Sequence, residues 1–262
     1  MKSWFISDIH LTSLQERNGQ TLLRFLFKLN QNPTEQRLFL MGDIFDFWLS
    51  NGKAFENHYQ ELVDQIGLLK KNGGEVIYFE GNHDFHVDVF WTKKFKIPVI
   101  EDQAYFNIDG LNVRLEHGDF INPDDKKYLD YRAKVRHPWI EPIGHFVPGF
   151  FWKWFGEKQS QKSRKKTGHY GLSNAAEIKN LIRTHAQKVY AEKKFDLIVT
   201  GHMHVFDDFT FEVNGKKIRS VNLGTWLEKP RALMIENGEL KTIELEPYLE
   251  IESVSQNPRD PG

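Results

Sequence analysis

The 262-residue chain contains no cysteine. That absence excludes disulfides, thiolate zinc sites and any cysteine nucleophile, and it fits a reducing compartment. Long hydrophobic runs are missing too, since nothing approaches the ~18 consecutive apolar residues of a membrane-spanning helix. Met1 to Ser13 carry Asp8 and His10 where a secretory leader needs an uninterrupted apolar stretch, so no signal peptide is expected. Nor does either charge predominate. Lys and Arg number 35 against 36 Asp and Glu, which disfavours a globally basic nucleic-acid binder. What is present is 40% hydrophobic and 14% aromatic residues, enough to bury a core. At ~150 residues per domain, the length predicts one large domain or one domain with a sizeable insertion.

Short apolar runs alternate with helical patterns through the first half. Trp4-Phe5-Ile6, Leu38 to Met41 and Val76 to Phe79 read as buried strands, each ending in a polar cluster. Between them Leu22, Leu23, Phe25, Leu26 and Leu29, and later Leu62, Val63, Ile66 and Leu69, recur at helical spacing. The alternation predicts an α/β fold with functional loops at the carboxyl ends of the strands. Asn112 to Glu116 and Leu197 to Thr200 add further strands. Phe209 to Val213 with Ile218 to Val221, and Ala232 to Ile235 with Leu240 to Leu245, read as hairpins turned at Asn214-Gly215 and Asn237-Gly238. Residues 121–170 break the rhythm: they hold eleven Lys/Arg against five Asp/Glu, and ten aromatics. They are expected to form a basic, aromatic, helical insertion in a core of residues 1–120 and 171–249, with a disordered tail over 250–262.

Five polar clusters carry the chemistry: Asp8-x-His10, Gly42-Asp43-Ile44-Phe45-Asp46, Gly81-Asn82-His83-Asp84, His117-Gly118-Asp119 and Gly201-His202-Met203-His204. In an extended segment Asp8 and His10 point to one side, as do His202 and His204. Aspartates, an asparagine carbonyl and imidazoles, without sulfur, suit Mn²⁺, Fe²⁺ or Zn²⁺ better than Ca²⁺. Seven candidate ligands exceed one octahedral ion with open positions and match two ions sharing a carboxylate. Two ions ~3.5–4 Å apart clamp the attacking and leaving oxygens of a phosphoryl ester and generate hydroxide at neutral pH. His58, His86, His137, His145, His169 and His185 lie outside these clusters and read as structural.

In this order and at these strand ends, the five clusters resemble the calcineurin-like metallophosphoesterase family. The resemblance implies a two-sheet sandwich flanked by helices, with a helical cap. It implies Asp8, His10, Asp43 and His204 around one metal and Asn82, His117 and His202 around a second, with Asp43 bridging and His83 acting on the leaving oxygen. Asp46 and Asp84 read as residues that orient ligands, whereas Asp119 stays open between ligand neighbour and cap.

The stretch Gly42 to Trp48, His117-Gly118-Asp119 with Asp124-Asp125, and Tyr131 to Val135 with Pro138-Trp139 are similar to the UDP-2,3-diacylglucosamine hydrolase branch of that family. This likeness implies two divalent ions, Mn²⁺ foremost with Fe²⁺ or Zn²⁺ as alternatives, and cleavage of the substrate pyrophosphate to UMP and an acylated sugar 1-phosphate. It also implies substrate contacts at Asn82, His83, His202, Asp125 and Ser163, with a helix N-cap as the rival role for Asp125. Two positions depart from that branch: His83 stands where it carries Arg, and Asp46 where it carries Glu. A phosphodiesterase or nucleotide pyrophosphatase acting on another substrate is the alternative, and a non-catalytic binding module a more distant one. Lys126, Lys127, Arg132, Arg136, Arg164, Lys165 and Lys166, with the apolar run Ile143 to Gly156, suit an amphiphilic substrate or the anionic inner-membrane surface from the cytoplasmic side.

Overall fold

In the computed structural model, residues 1–50, 53–137, 139–140 and 175–255 are described. β1 (Lys2–Ile6), β2 (Gln36–Leu40) and β4 (Glu75–Phe79) run parallel at the centre of a six-stranded sheet, ordered β13-β12-β1-β2-β4-β6. Their side chains alternate as the pleat demands. Trp4, Ile6, Leu38, Leu40, Val76 and Tyr78 face the helices α1 (Arg17–Leu29), α3 (Gln60–Lys71) and α4 (Asp88–Phe95). Phe5, Phe39, Met41, Ile77 and Phe79 face the other way, into a second apolar layer. Burial on both faces is why these strands read as continuous apolar runs.

That second layer is shared with a five-stranded sheet, ordered β10-β11-β9-β8-β7. Val113 and Leu115 of β8 (Leu111–Glu116), Leu197 and Val199 of β9 (Leu197–Thr200) and Val221 of β11 (Lys216–Leu223) supply its half of the packing. Its outer face is covered by α6 (Ala175–Glu192), through Ala186, Val189 and Tyr190. The expected two-sheet sandwich flanked by helices is therefore the observed fold.

Both predicted hairpins form. β10 (Phe206–Val213) pairs with β11, and β12 (Arg231–Glu236) with β13 (Glu239–Glu244). Asn214 and Gly215 (φ 52° and 78°) and Asn237 and Gly238 (φ 54° and 77°) take the left-handed conformation of such turns. Four strands escaped the sequence pattern: β3 (Trp48–Leu49), β5 (Asp84–Phe85), β6 (Val99–Ile100) and β7 (Gln103–Ile108). Three of them are two residues long, and β7 is largely half-exposed, so none carries a clean periodicity. Two helices remain. A short helix, α2 (Lys53–His58), precedes α3, and α7 (Leu245–Ser255) runs past residue 250, where the tail was expected to begin. Of the residues assigned to the insertion, α5 (Lys126–Val135) opens the described part. The run Ile143 to Gly156, Ser163 and the Arg164-Lys165-Lys166 cluster lie outside the described residues. Among the described residues, no helix is long and apolar enough to cross a membrane.

Candidate metal centre

All five clusters follow the carboxyl ends of parallel strands. β1, β2 and β4 deliver Asp8 and His10, Asp43, and Asn82 and His83, while β8 and β9 of the other sheet deliver His117, and His202 and His204. Two groups of ligand atoms result, each within 4.8 Å of one another: Asp8, His10, Asp43 and His204, and Asp43, His117 and His202. Asp43 belongs to both. Asn82 joins the second group, its Oδ1 lying 2.8 Å from His202 Nδ1 and 3.4 Å from His117 Nε2.

The pairs do not converge by extended geometry. Asp8 (φ 51°), His10 (52°), Asp43 (53°), His202 (65°) and His204 (56°) all occupy the left-handed region. Each such non-glycine residue costs about 1–3 kcal/mol, so the surroundings must enforce it. They do so through hydrogen bonds: the amides of Ile9 and His10 donate to Asp43 O (2.9 and 3.0 Å), and Trp226 N and Thr225 Oγ1 donate to Asp8 O (3.1 and 3.0 Å). The shared side of Asp8 and His10, and of His202 and His204, therefore comes from tight turns just beyond the strands.

Space matters as much as torsion. A Cβ on Gly81 would stand 2.1 Å from Asp43 Oδ1, and one on Gly201 2.3 Å from Asp8 Oδ2, so any side chain there would displace a candidate ligand. Asp84 fixes the crossing from below. Its Oδ1 accepts from the amides of Asp43 (2.9 Å) and Gly81 (2.8 Å), and its Oδ2 from Ile44 N (2.8 Å) and the Tyr78 hydroxyl (2.5 Å). Burial, reinforced by the neighbouring Asp43, pushes the Asp84 carboxyl up to about 6.

The inward-facing atoms test whether cations fit. The Nε2 atoms of His10 and His204 lie 3.0 Å apart, and burial together with the neighbouring His83 and His204 drives His10 down to about 3. His10 is thus neutral. His117 Nδ1–H donates to Met41 O (2.8 Å) and directs Nε2 at Asn82 Oδ1, at Asp43 Oδ2 (3.5 Å) and at Asp119 Oδ1 (3.7 Å). A neutral imidazole would turn a lone pair toward those three acceptors. Burial opposes a charge on His117, yet Asp43, with Asp119 and Asp8 beyond it, raises its pKa well above the ordinary value. Asp119 Oδ1 is buried with no hydrogen-bond partner. The centre calls for positive charge, and its oxygen and nitrogen donors fit divalent transition ions.

His83 is fixed by two bonds of its own. Its Nδ1–H donates to the Asp46 carbonyl (2.7 Å), which orients the ring, and its amide donates to Asp43 Oδ1 (2.8 Å). Its ring packs edge-on to His10, with centroids 4.8 Å apart. A further group brings ligand atoms of His10, Asp46 and His83 within 4.8 Å, so the Asp46 carboxyl also faces the centre. Asp125 accepts from Tyr128 N (3.0 Å) as the N-cap of α5.

Arg132 and Arg136 are not free for phosphates or lipid head groups, contrary to the sequence expectation. Arg132 pairs with Asp119 and Asp102, and Arg136 is buried against Glu80 Oε2 (2.8 Å). Their partners lie 13 to 56 positions away, which spacing could not reveal. His58, His86 and His185 bond Thr12 O, Val135 O and Glu116, as structural histidines do.

A profile of the calcineurin-like phosphoesterase family matches residues 1–206. UDP-2,3-diacylglucosamine hydrolase of Aliivibrio fischeri (strain MJ11) is 28% identical over 223 residues, covering 85% of this chain and 89% of that protein. The enzyme of the same name from Vibrio atlanticus (strain LGP32) is 27% identical over 249 residues, or 91% and 98% of the two chains. That from Stenotrophomonas maltophilia (strain K279a) is 24% identical over 241 residues, or 91% and 96%. With this match spanning all five clusters, the chain belongs to the calcineurin-like phosphoesterase family and is a metal-dependent hydrolase.

Proposed function

We propose that the chain hydrolyses the pyrophosphate of UDP-2,3-diacylglucosamine, releasing UMP and 2,3-diacylglucosamine 1-phosphate in the lipid A pathway. The observation that carries the phosphoesterase part is the pair of ligand groups meeting at Asp43. The substrate part is supported by relatives of that name, which align along most of both chains. In this reading Asp8, His10, Asp43 and His204 hold one divalent ion, and Asp43, Asn82, His117 and His202 the other, with Mn²⁺ the first choice. The ions supply Lewis acidity toward phosphoryl oxygens and lower the pKa of the attacking water.

His83 presents Nε2 to the substrate, because Nδ1 is committed to the Asp46 carbonyl. From there it donates a proton or hydrogen bond to the leaving oxygen. Asn82, His83 and His202 line the phosphate side, and Asp125 and Ser163 contact the sugar. Residues 121–170 form the cap that receives the acyl chains and meets the cytoplasmic face of the inner membrane.

The experiment is metal-replete hydrolysis of UDP-2,3-diacylglucosamine, followed as UMP release, beside a soluble UDP-sugar and a chromogenic phosphodiester. Preferential turnover of the lipid is the expected result. Turnover of the soluble compounds alone would retain the hydrolase and remove the lipid substrate.

A further inference from the structure

Four loops carry the ligands assigned above to the second cation position, and one helix braces three of them, those of Asn82, His117 and His202. Arg136, immediately after α5, is 5% exposed at its side chain. Its Nη1 bonds Glu80 Oε2 (2.8 Å), while Nη2 donates to the carbonyls of Glu80 (3.4 Å) and Gly81 (3.2 Å), the two residues before Asn82. The far side of the same Glu80 carboxylate accepts from Val87 N (2.8 Å), so the whole turn from Glu80 to Val87 is strung on this guanidinium. His86 Nε2 closes the turn onto Val135 O (2.9 Å) at the end of α5. Toward the next loop, Arg136 Nη2 lies 3.9 Å from Asp119 Oδ2, which Arg132 also holds, and Asp119 Oδ1 faces His117 Nε2 at 3.7 Å. On the third loop, the Tyr128 ring covers the His202 ring, with centroids 5.0 Å apart. Among the described residues, no hydrogen bond, ion pair or ring contact from α5 or Arg136 reaches Asp8, His10 or His204.

Building on the two-cation reading, we propose that Arg136 is a positioning residue selective for the second cation position, through which α5 sets the geometry of Asn82 and His117. A guanidinium suits this task because its planar fork serves a carboxylate and two carbonyls at once, which a lysine ammonium on a flexible stem cannot do with fixed angles. The first position shares Asp43 and the loop after β9 with the second, but its own ligands Asp8, His10 and His204 receive none of these contacts directly.

The test is Mn²⁺ titration of the metal-free full-length protein, with free Mn²⁺ read by electron paramagnetic resonance, for wild type, Arg136→Lys, Arg136→Met, Tyr128→Leu and Tyr128→Phe. Wild type binds two ions. Both Arg136 variants and Tyr128→Leu are expected to keep one site at wild-type affinity and to weaken the other by about tenfold or more. Tyr128→Phe, which retains the ring, binds as wild type. Equal weakening of both sites, or wild-type binding in every variant, overturns the proposal. If Arg136→Met fails to fold, Arg136→Lys and the Tyr128 pair give the same decision. A wild type binding fewer than two ions overturns the two-cation reading itself and this proposal with it, an outcome distinct from a two-ion wild type with unaltered variants.

Discussion

Asp43 stands where both ligand groups meet, in a left-handed conformation that a branched or bulky residue would not adopt without strain. Burial alone would push its carboxyl up, but His117, with His83 beside it, holds it well below the ordinary carboxylate value. Asparagine at this position keeps the shape of the side chain and removes its charge. Asp43→Asn is expected to lower turnover by about a thousandfold or more while the apo fold persists. Circular dichroism and UMP release measured on the same preparation would check this, and near-wild-type turnover would remove Asp43 from the bridging role. His83 makes the opposite kind of prediction. Its ring is oriented by a backbone carbonyl and lies beside the ligand His10. His83→Ala should cut kcat by about a hundredfold or more with bound metal nearly unchanged; metal loss paralleling the rate loss would make it a structural residue. The ligand residues were legible because each type stands in a short motif at a strand end. The supporting acceptors were not. Asp84 acts on the amides of Asp43 and Ile44, about forty positions earlier, a relation that only folding creates.

At the scale of elements, the buried parallel strands were readable because both faces are covered, and the hairpins because Asn-Gly marks their turns. The half-exposed β7 offered no such pattern, and the extended geometry expected of Asp8-x-His10 gave way to turns held by cross-strand amides. Polar links between elements were equally hidden. At the end of β8, Glu116 pairs with Arg114 (Nη2 to Oε2, 2.6 Å) and with His185 of α6 (Nε2 to Oε1, 2.5 Å), directly before His117. Burial works against its charge, but the His185 hydrogen bond, then Arg114, hold the carboxyl below its ordinary 4.5. A carboxylate lowered by folding contributes stability above its unfolded pKa and loses it as pH falls through the folded value. Glu116→Gln should therefore reduce unfolding free energy at neutral pH by about 2 kcal/mol. The deficit should shrink as the pH drops below 4.5. Urea unfolding of the metal-free protein across that range measures it, and a deficit that stays constant with pH would mean that the ion pair's charge adds nothing.

For the molecule as a whole, the decisive feature is that two sheets bring their carboxyl-terminal loops to one place, so both groups that meet at Asp43 draw side chains from each sheet. Among the described residues, the candidate ligands of this centre come from residues 8 to 117 and 202 to 204, all on the sandwich. The described residues of the intervening basic and aromatic stretch contribute none of them, and its helix α5 braces loops from behind. The proposed function therefore predicts that chemistry and substrate choice separate along the chain. Replacing residues 141–174 by a flexible linker leaves α5, Arg136 and every candidate ligand in place. Such a variant should retain hydrolysis of a chromogenic phosphodiester within a few-fold. Its kcat/KM for UDP-2,3-diacylglucosamine should fall by about a hundredfold or more, because burial of acyl chains is worth ~0.8 kcal/mol per methylene and the deleted stretch carries the apolar run Ile143 to Gly156. Equal losses on both substrates would assign that stretch to folding, and unchanged lipid turnover would place acyl recognition on the sandwich itself.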